Sequence, residues 1–198
     1  EVKRAILEDL TDKGLYPYAK YYLNNIKERF GGYWNNHFST IGIIGMNEAL
    51  LNFAPLGKNI ATNEGKEFAL QVMDYMRNKV LDYQGKTNHP YNLEATPAEG
   101  VTRRLSRLDK DKYKNIIVGN EEAFQSSGAA PYYTNSSQLP VNFTSDLFEA
   151  LDLQDDLQIK YTGGTVLHGF IGEALPSAEA VRSLVKKIAY KYHLPYFT

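Results

Sequence analysis

The chain has 198 residues, 43% of them hydrophobic and 23% charged, with a formal net charge of −1. That composition excludes intrinsic disorder and leaves enough surface to bury a core. It also excludes a global field for nucleic acid or an anionic membrane, so a polyanion would have to be held by a local site. No run approaches the roughly 18 apolar residues of a membrane span. Glu1–Leu10 has neither the basic start nor the apolar stretch of a signal peptide. Without cysteine there is no disulfide framework, and a cytoplasmic location is expected. The glycosylation-like triplets Asn135-Ser136-Ser137 and Asn142-Phe143-Thr144 are then read as chance matches.

Along the chain, helical periodicity alternates with short β-rich runs, the pattern of βαβ units and a mostly parallel sheet. A first helix is predicted over Val2–Lys13, closed by Gly14. A second starts at Pro17, carries Ala19, Tyr22, Leu23, Ile26 and Phe30 on one face, and stops at Gly31-Gly32. The strand 38–44 and a helix over 47–53 follow. A long helix over 64–84 has a stripe of Ala69, Val72, Met73, Met76, Val80 and Tyr83, with Gly85 as its stop. Next come a strand at 91–95, a helix through Leu108, a polar loop with Gly119, Ser126, Ser127 and Gly128, and a strand at 132–136. Ser145 opens a helix with Leu147, Phe148 and Leu151. Gly163-Gly164 introduces a strand at 165–170, and a helix from Ser177 shows Val181, Leu184, Val185, Ile188 and Tyr192. A strand at 195–197 ends the chain. The expected fold is α/β: five mostly parallel strands with interleaved helices. Both ends read as interrupted, so a single partial domain, 1–198, is expected.

Four places carry chemistry. Thr96-Pro97-Ala98-Glu99 reads as a capping box before Gly100. The same free N–H groups would suit phosphate, with Arg103, Arg104 and Arg107 offsetting the charge of Glu99. Gly42 and Gly45 flank Ile43-Ile44, and Met46-Asn47 opens a helix. Glycine there means close approach by a ligand, or tight helix-on-sheet packing. Asn135, Ser136 and Gln138 sit at a strand end, where amides and hydroxyls hold a ribose or phosphate, or bond a neighbouring loop. His168 shares a strand face with Val166 and Phe170, as a core histidine or a cavity residue. His37, His89, His168 and His193 lack metal-ligand spacing. No nucleophile triad, P-loop or dinucleotide fingerprint is present. Asp155-Asp156 and Asp109–Lys112 read as solvated helix faces.

The segments HFSTIGIIGMNEALLNF (37–53), YNLEATPAEG (91–100), YYTNSSQLPV (132–141) and YTGGTVLHGFIGE (161–173), in this order, resemble the catalytic subunit of anaerobic, class III ribonucleoside-triphosphate reductases, which are glycyl radical enzymes. STIGIIGMNEA is the most family-specific of them, and the resemblance covers nearly the whole chain. It implies a ten-stranded α/β barrel of two five-stranded halves, with this chain matching the second. It also implies reduction of ribonucleoside triphosphates by a radical passed from glycine to a cysteine thiyl, with formate as the common reductant. A radical-SAM iron–sulfur activase, nucleotide effectors, a four-cysteine zinc site and a homodimer are implied for the whole enzyme.

The thiyl cysteine, radical loop and zinc ligands have no counterpart in a chain without cysteine. This piece is therefore expected to supply substrate-cavity wall and no catalytic group. The candidate wall residues are Gly42, Met46, Asn47, Thr96, Pro97, Ala98, Gly100, Asn135, Ser136 and His168, with the 96–100 turn near the nucleotide at the barrel mouth. The alternatives are another glycyl radical enzyme, or a non-catalytic half-barrel that assembles with a partner chain.

Overall fold

A computed structural model describes residues 1–141, 143–170 and 175–198. Asn142 of the second glycosylation-like triplet and the final Ile171–Glu173 of the YTGGTVLHGFIGE segment lie outside the described residues. The elements are α1 (Val2–Asp12), α2 (Pro17–Tyr22), α3 (Asn24–Phe30), β1 (Ser39–Gly42), α4 (Met46–Asn52), α5 (Asn63–Thr87), β2 (Tyr91–Glu94), α6 (Glu99–Lys112), α7 (Glu121–Ser127), α8 (Leu147–Gln158) and α9 (Ala178–Lys191). The fold is mixed α/β, and β1 and β2 pair in parallel. The chain divides into two compact units, Glu1–Thr40 with Asn78–Asn92, and Ile41–Arg77 with Leu93–Thr198.

In the first unit, polar residues one and two turns apart on α1 hold the turn that leads into β1. Glu8 accepts the N–H groups of Tyr33 (3.0 Å) and Trp34 (3.2 Å), and the Trp34 indole donates to Thr11 Oγ1 (2.9 Å). Arg4 donates to the carbonyls of Trp34 and His37 and to Ser39 Oγ. The single helix predicted from Pro17 to Phe30 is two, broken at Leu23. Asn24 and Asn25 follow the break, and asparagine competes for backbone hydrogen bonds in a helix. α5 runs through Gly85, predicted as its stop, and ends before Asn88, whose φ is +58°. A glycine inside a helix weakens it without ending it.

The second unit holds the main core. Ile43, Met46 and Leu50 meet Ile60, Ala69, Met73, Leu93, Leu157 and Tyr161. A smaller cluster joins Leu151, Leu167, Ile188 and Leu194. The apolar face of α9 is narrower than its stripe predicts. Ile188 is buried and Leu184 and Tyr192 pack beside it, whereas Val185 is 45% exposed.

Among the described residues only two of the five predicted strands form. The others leave isolated bridges: Ile44 with Asn135 (antiparallel), Glu94 with Gly164 and Leu167 with Phe197 (both parallel). The 132–136 segment spends its backbone groups elsewhere, on Gly119 N, Gly45 N, Met46 N and a glutamate side chain. Its polar groups are satisfied without a ladder, so no strand is needed. The loop predicted around Gly119–Gly128 contains α7, closed by Gly128 with φ +68°. α8 starts one residue later than Ser145 suggests, with Asp146 as its cap.

The acidic runs are not simply solvated. Asp155 accepts the N–H groups of His193 (2.7 Å) and Leu194 (2.9 Å), Asp109 accepts the Tyr133 hydroxyl (2.7 Å), and Lys110 pairs with Glu121 (2.7 Å).

Candidate functional site

A cavity of about 1220 Å³ opens in the second unit. Four walls surround it: the 95–103 turn and first turn of α6, the 132–141 segment, the start of α8, and Val166–Phe170.

The 132–141 wall is held from behind by α4. Gly45, with φ +74°, turns the chain so that the N–H groups at the start of α4 face this wall. Gly45 N donates to Thr134 O (2.8 Å) and Met46 N to Ser136 O (3.0 Å). Such helix-start donors lack partners within the helix. Glu48, 1% exposed, accepts on both carboxylate oxygens: Thr134 Oγ1 (2.6 Å) and Asn47 Nδ2 (2.9 Å) donate to Oε1, and Thr134 N (2.9 Å) donates to Oε2. Ser136 is buried with φ +49°, in the left-handed region that non-glycine residues seldom occupy. Its hydroxyl donates to Thr96 O (3.2 Å).

The predicted capping box at Thr96–Glu99 does not form. α6 begins at Glu99 with Ala98 as its N-cap, and no side chain caps it. Thr96 lies too far upstream to reach the first helical donors. Asn135 Oδ1 instead accepts Ala98 N, at 3.4 Å.

Burial foremost, then the hydrogen bond to Asp109 and the charges of Asp109 and Glu48, hold the Tyr133 hydroxyl well above its ordinary pKa. Burial and the Glu48 charge raise Tyr132 in the same direction. Both phenols line the cavity in their protonated form.

At the end of α8, Gln158 Oε1 accepts from the Thr165 hydroxyl, and Gln158 Nε2 donates to Gln154 Oε1 (2.7 Å). Gln154 is fully buried and lines the cavity, and its Nε2 has no partner among the described residues.

Of the ten candidate residues, Pro97, Gly100, Asn135, Ser136 and His168 line this cavity. Leu167 takes the buried position and His168 is exposed, so the histidine is not a core residue. The other five stand behind the wall. Gly42 packs against Thr96, Met46 joins the main core, Ala98 is buried, and Asn47 Oδ1 accepts Ile60 N (3.1 Å). Sequence reading missed Glu48 and Gln154. Both had a signal: a carboxylate beside the apolar Met46 and Leu50, and a Gln154/Gln158 pair four residues apart in the helix that carries Leu151 and Leu157. Among the described residues no cluster of His, Cys, Asp or Glu could hold a metal ion, and no helix is long and apolar enough to cross a membrane.

The fold is that of solved anaerobic ribonucleotide reductases. The Thermotoga maritima enzyme with MES in the active site superimposes with a TM-score of 0.67 at 22% identity, covering 98% of this chain and 30% of that one. The same enzyme in complex with dATP and CTP gives a TM-score of 0.68 at 22% identity, covering 94% and 28%. The sequence profile of the anaerobic ribonucleoside-triphosphate reductase family matches residues 1–198, and the chain belongs to that family. It is 25% identical over 130 residues to the Haemophilus influenzae anaerobic ribonucleoside-triphosphate reductase, covering 66% of this chain. Against the Escherichia coli protein of that name it is 23% identical over 160 residues, covering 80%. The chain spans 17% and 21% of the length of those two relatives.

Proposed function

We propose that this chain is the substrate-cavity wall of an anaerobic ribonucleoside-triphosphate reductase, an oxidoreductase that makes deoxyribonucleotides by glycyl and thiyl radical chemistry. The observation that carries this reading is convergence: five candidate residues from three separate segments meet on one cavity in a member of that family. In this reading the uncapped Glu99 and Gly100 N–H groups at the start of α6 are offered to phosphate, and Arg103, which lines the same cavity, supplies the counter-charge. Asn135, Ser136 and His168 face the sugar and base, and Gly42, Met46, Asn47, Thr96 and Ala98 set the wall's shape from behind.

In this reading the chain is one half of a larger barrel; the parallel pair β1–β2 and the isolated bridges among the described residues are what supports it. With no cysteine, this chain cannot hold the family's zinc or supply its thiyl. Those groups and the glycyl radical belong to the rest of the reductase chain. The whole enzyme works in the cytoplasm as a homodimer, receives its radical from a radical-SAM iron–sulfur activase and responds to nucleotide effectors.

The test is ribonucleotide reduction by the full-length protein containing this segment, with activase and formate. Deoxynucleotide formation by the full-length protein, and none by the 198-residue chain alone, is the expected result. Product from the isolated chain, or none from an activated full-length enzyme whose glycyl radical is verified by electron paramagnetic resonance, overturns the proposal.

A further inference from the structure

Resting on the substrate-cavity reading, we infer that Glu48, which does not line the main cavity, is a positioning residue for nucleotide binding. Its carboxylate meets three donors, Thr134 Oγ1, Thr134 N and Asn47 Nδ2, all within 2.9 Å. Such a set of donors suits a carboxylate, which accepts on both oxygens and donates nothing. Thr134 is thereby held through main chain and side chain together, and it lines the cavity with the two residues that follow it.

The consequence passes along the chain in two steps. Pinning Thr134 keeps Ser136 in its left-handed conformation with its hydroxyl on Thr96 O. It also delivers Asn135 Oδ1 to Ala98 N, at the start of α6. The start of α6 carries Gly100, and one turn later Arg103, into the cavity. Glu48 thus sets the angle at which the phosphate-binding turn meets its ligand without touching that ligand. A left-handed serine costs free energy and persists only where its surroundings over-determine it, which is the work this carboxylate does.

The experiment uses the full-length reductase and each of the four common ribonucleoside triphosphates. Glu48→Gln leaves a single acceptor oxygen for donors that now meet a second N–H group. It is expected to raise KM about tenfold and change kcat by less than about twofold, the pattern of lost uniform binding. Thr134→Val, which removes one donor and keeps the shape, should reproduce part of the rise, and Thr134→Ser should behave as wild type. The double variant Glu48→Gln/Thr134→Val should be no worse than Glu48→Gln alone, because both break one clamp.

A lowered melting temperature with unchanged KM in either single variant would reduce Glu48 to a structural residue and overturn the inference. Should Glu48→Gln fail to fold, Thr134→Val against Thr134→Ser decides it: equal KM values overturn it. A wild-type enzyme that carries its glycyl radical but reduces no ribonucleotide sinks the substrate-cavity reading instead, so the two failures are told apart.

Discussion

The Thr96 hydroxyl occupies the space that a side chain at position 42 would need: a Cβ on Gly42 would lie 2.0 Å from Thr96 Oγ1 and 2.9 Å from its Cβ. The glycine of β1 is therefore explained by the approach of the turn that precedes α6. Gly42→Ala should destabilise the protein by about 1–3 kcal/mol, the usual cost of overpacking. Thr96→Gly in the same chain should recover part of that loss, a coupling read from denaturant midpoints of the two single variants and the double. Strictly additive losses would show that the two positions do not compete for the space.

Arg103 lines the main cavity one turn into α6. Arg103→Gln should weaken ribonucleoside triphosphate binding by about tenfold, the scale of a lost charge-assisted contact. The melting temperature should move little. Equilibrium binding in rising salt checks the cause, since the wild-type advantage should shrink as screening increases.

Glu121 provides a pH signature. Burial alone would raise its pKa, but hydrogen bonds from Gln125, Lys110 and the Val118 N–H, with the Lys110 charge, outweigh it and hold the carboxyl below its ordinary 4.5. A carboxyl depressed by folding stabilises the native state above its unfolded pKa and loses that contribution as pH falls through the folded one. Glu121→Gln should therefore be less stable than wild type at pH 7, with the gap closing below about pH 4.5. Denaturation midpoints from neutral to acid pH measure it, and parallel curves would refute the assignment.

Asp146 caps α8 by accepting the N–H groups of Phe148 (2.8 Å) and Glu149 (3.4 Å). Asp146→Ala should cost about 0.5–2 kcal/mol, and Asp146→Asn much less, because asparagine caps nearly as well. Equal losses in the two variants would mean that the cap is not the source.

The helices were largely legible in the sequence, and the sheet was not. Proline at Pro17, Gly31 after α3 and Ser177 before α9 each encode a start or stop in local chemistry, so these boundaries fall where expected. The 132–136 segment has the composition of a strand, but from Thr134 to Ser136 it is held by Gly45, Met46 and Glu48 at the start of α4, far away in sequence, and no local pattern reveals them. The same limit applies at the site. Asn135 and Ser136 could be picked out as chain-end polar groups, whereas their use as tethers to the 96–98 turn depends on tertiary approach. Thr96 misled for the opposite reason: its motif matches a capping box perfectly, and the chain turns into helix two residues too late to use it.

The clamp between Glu48 and Thr134 spans 86 residues of sequence. Contacts that distant are closed late, because the entropy of the intervening loop must be lost before any bond repays it. In refolding, then, α4 and α5 with the link between them, whose core residues Met46, Leu50, Ile60, Ala69 and Met73 are neighbours in sequence, should acquire hydrogen-exchange protection first, and the amides of Thr134 and Ala98 afterwards. Under mild destabilisation the order reverses, and the cavity wall loosens while the helices behind it remain intact. A chain emerging from the ribosome would meet the same order: α4 is made long before the segment that it has to hold.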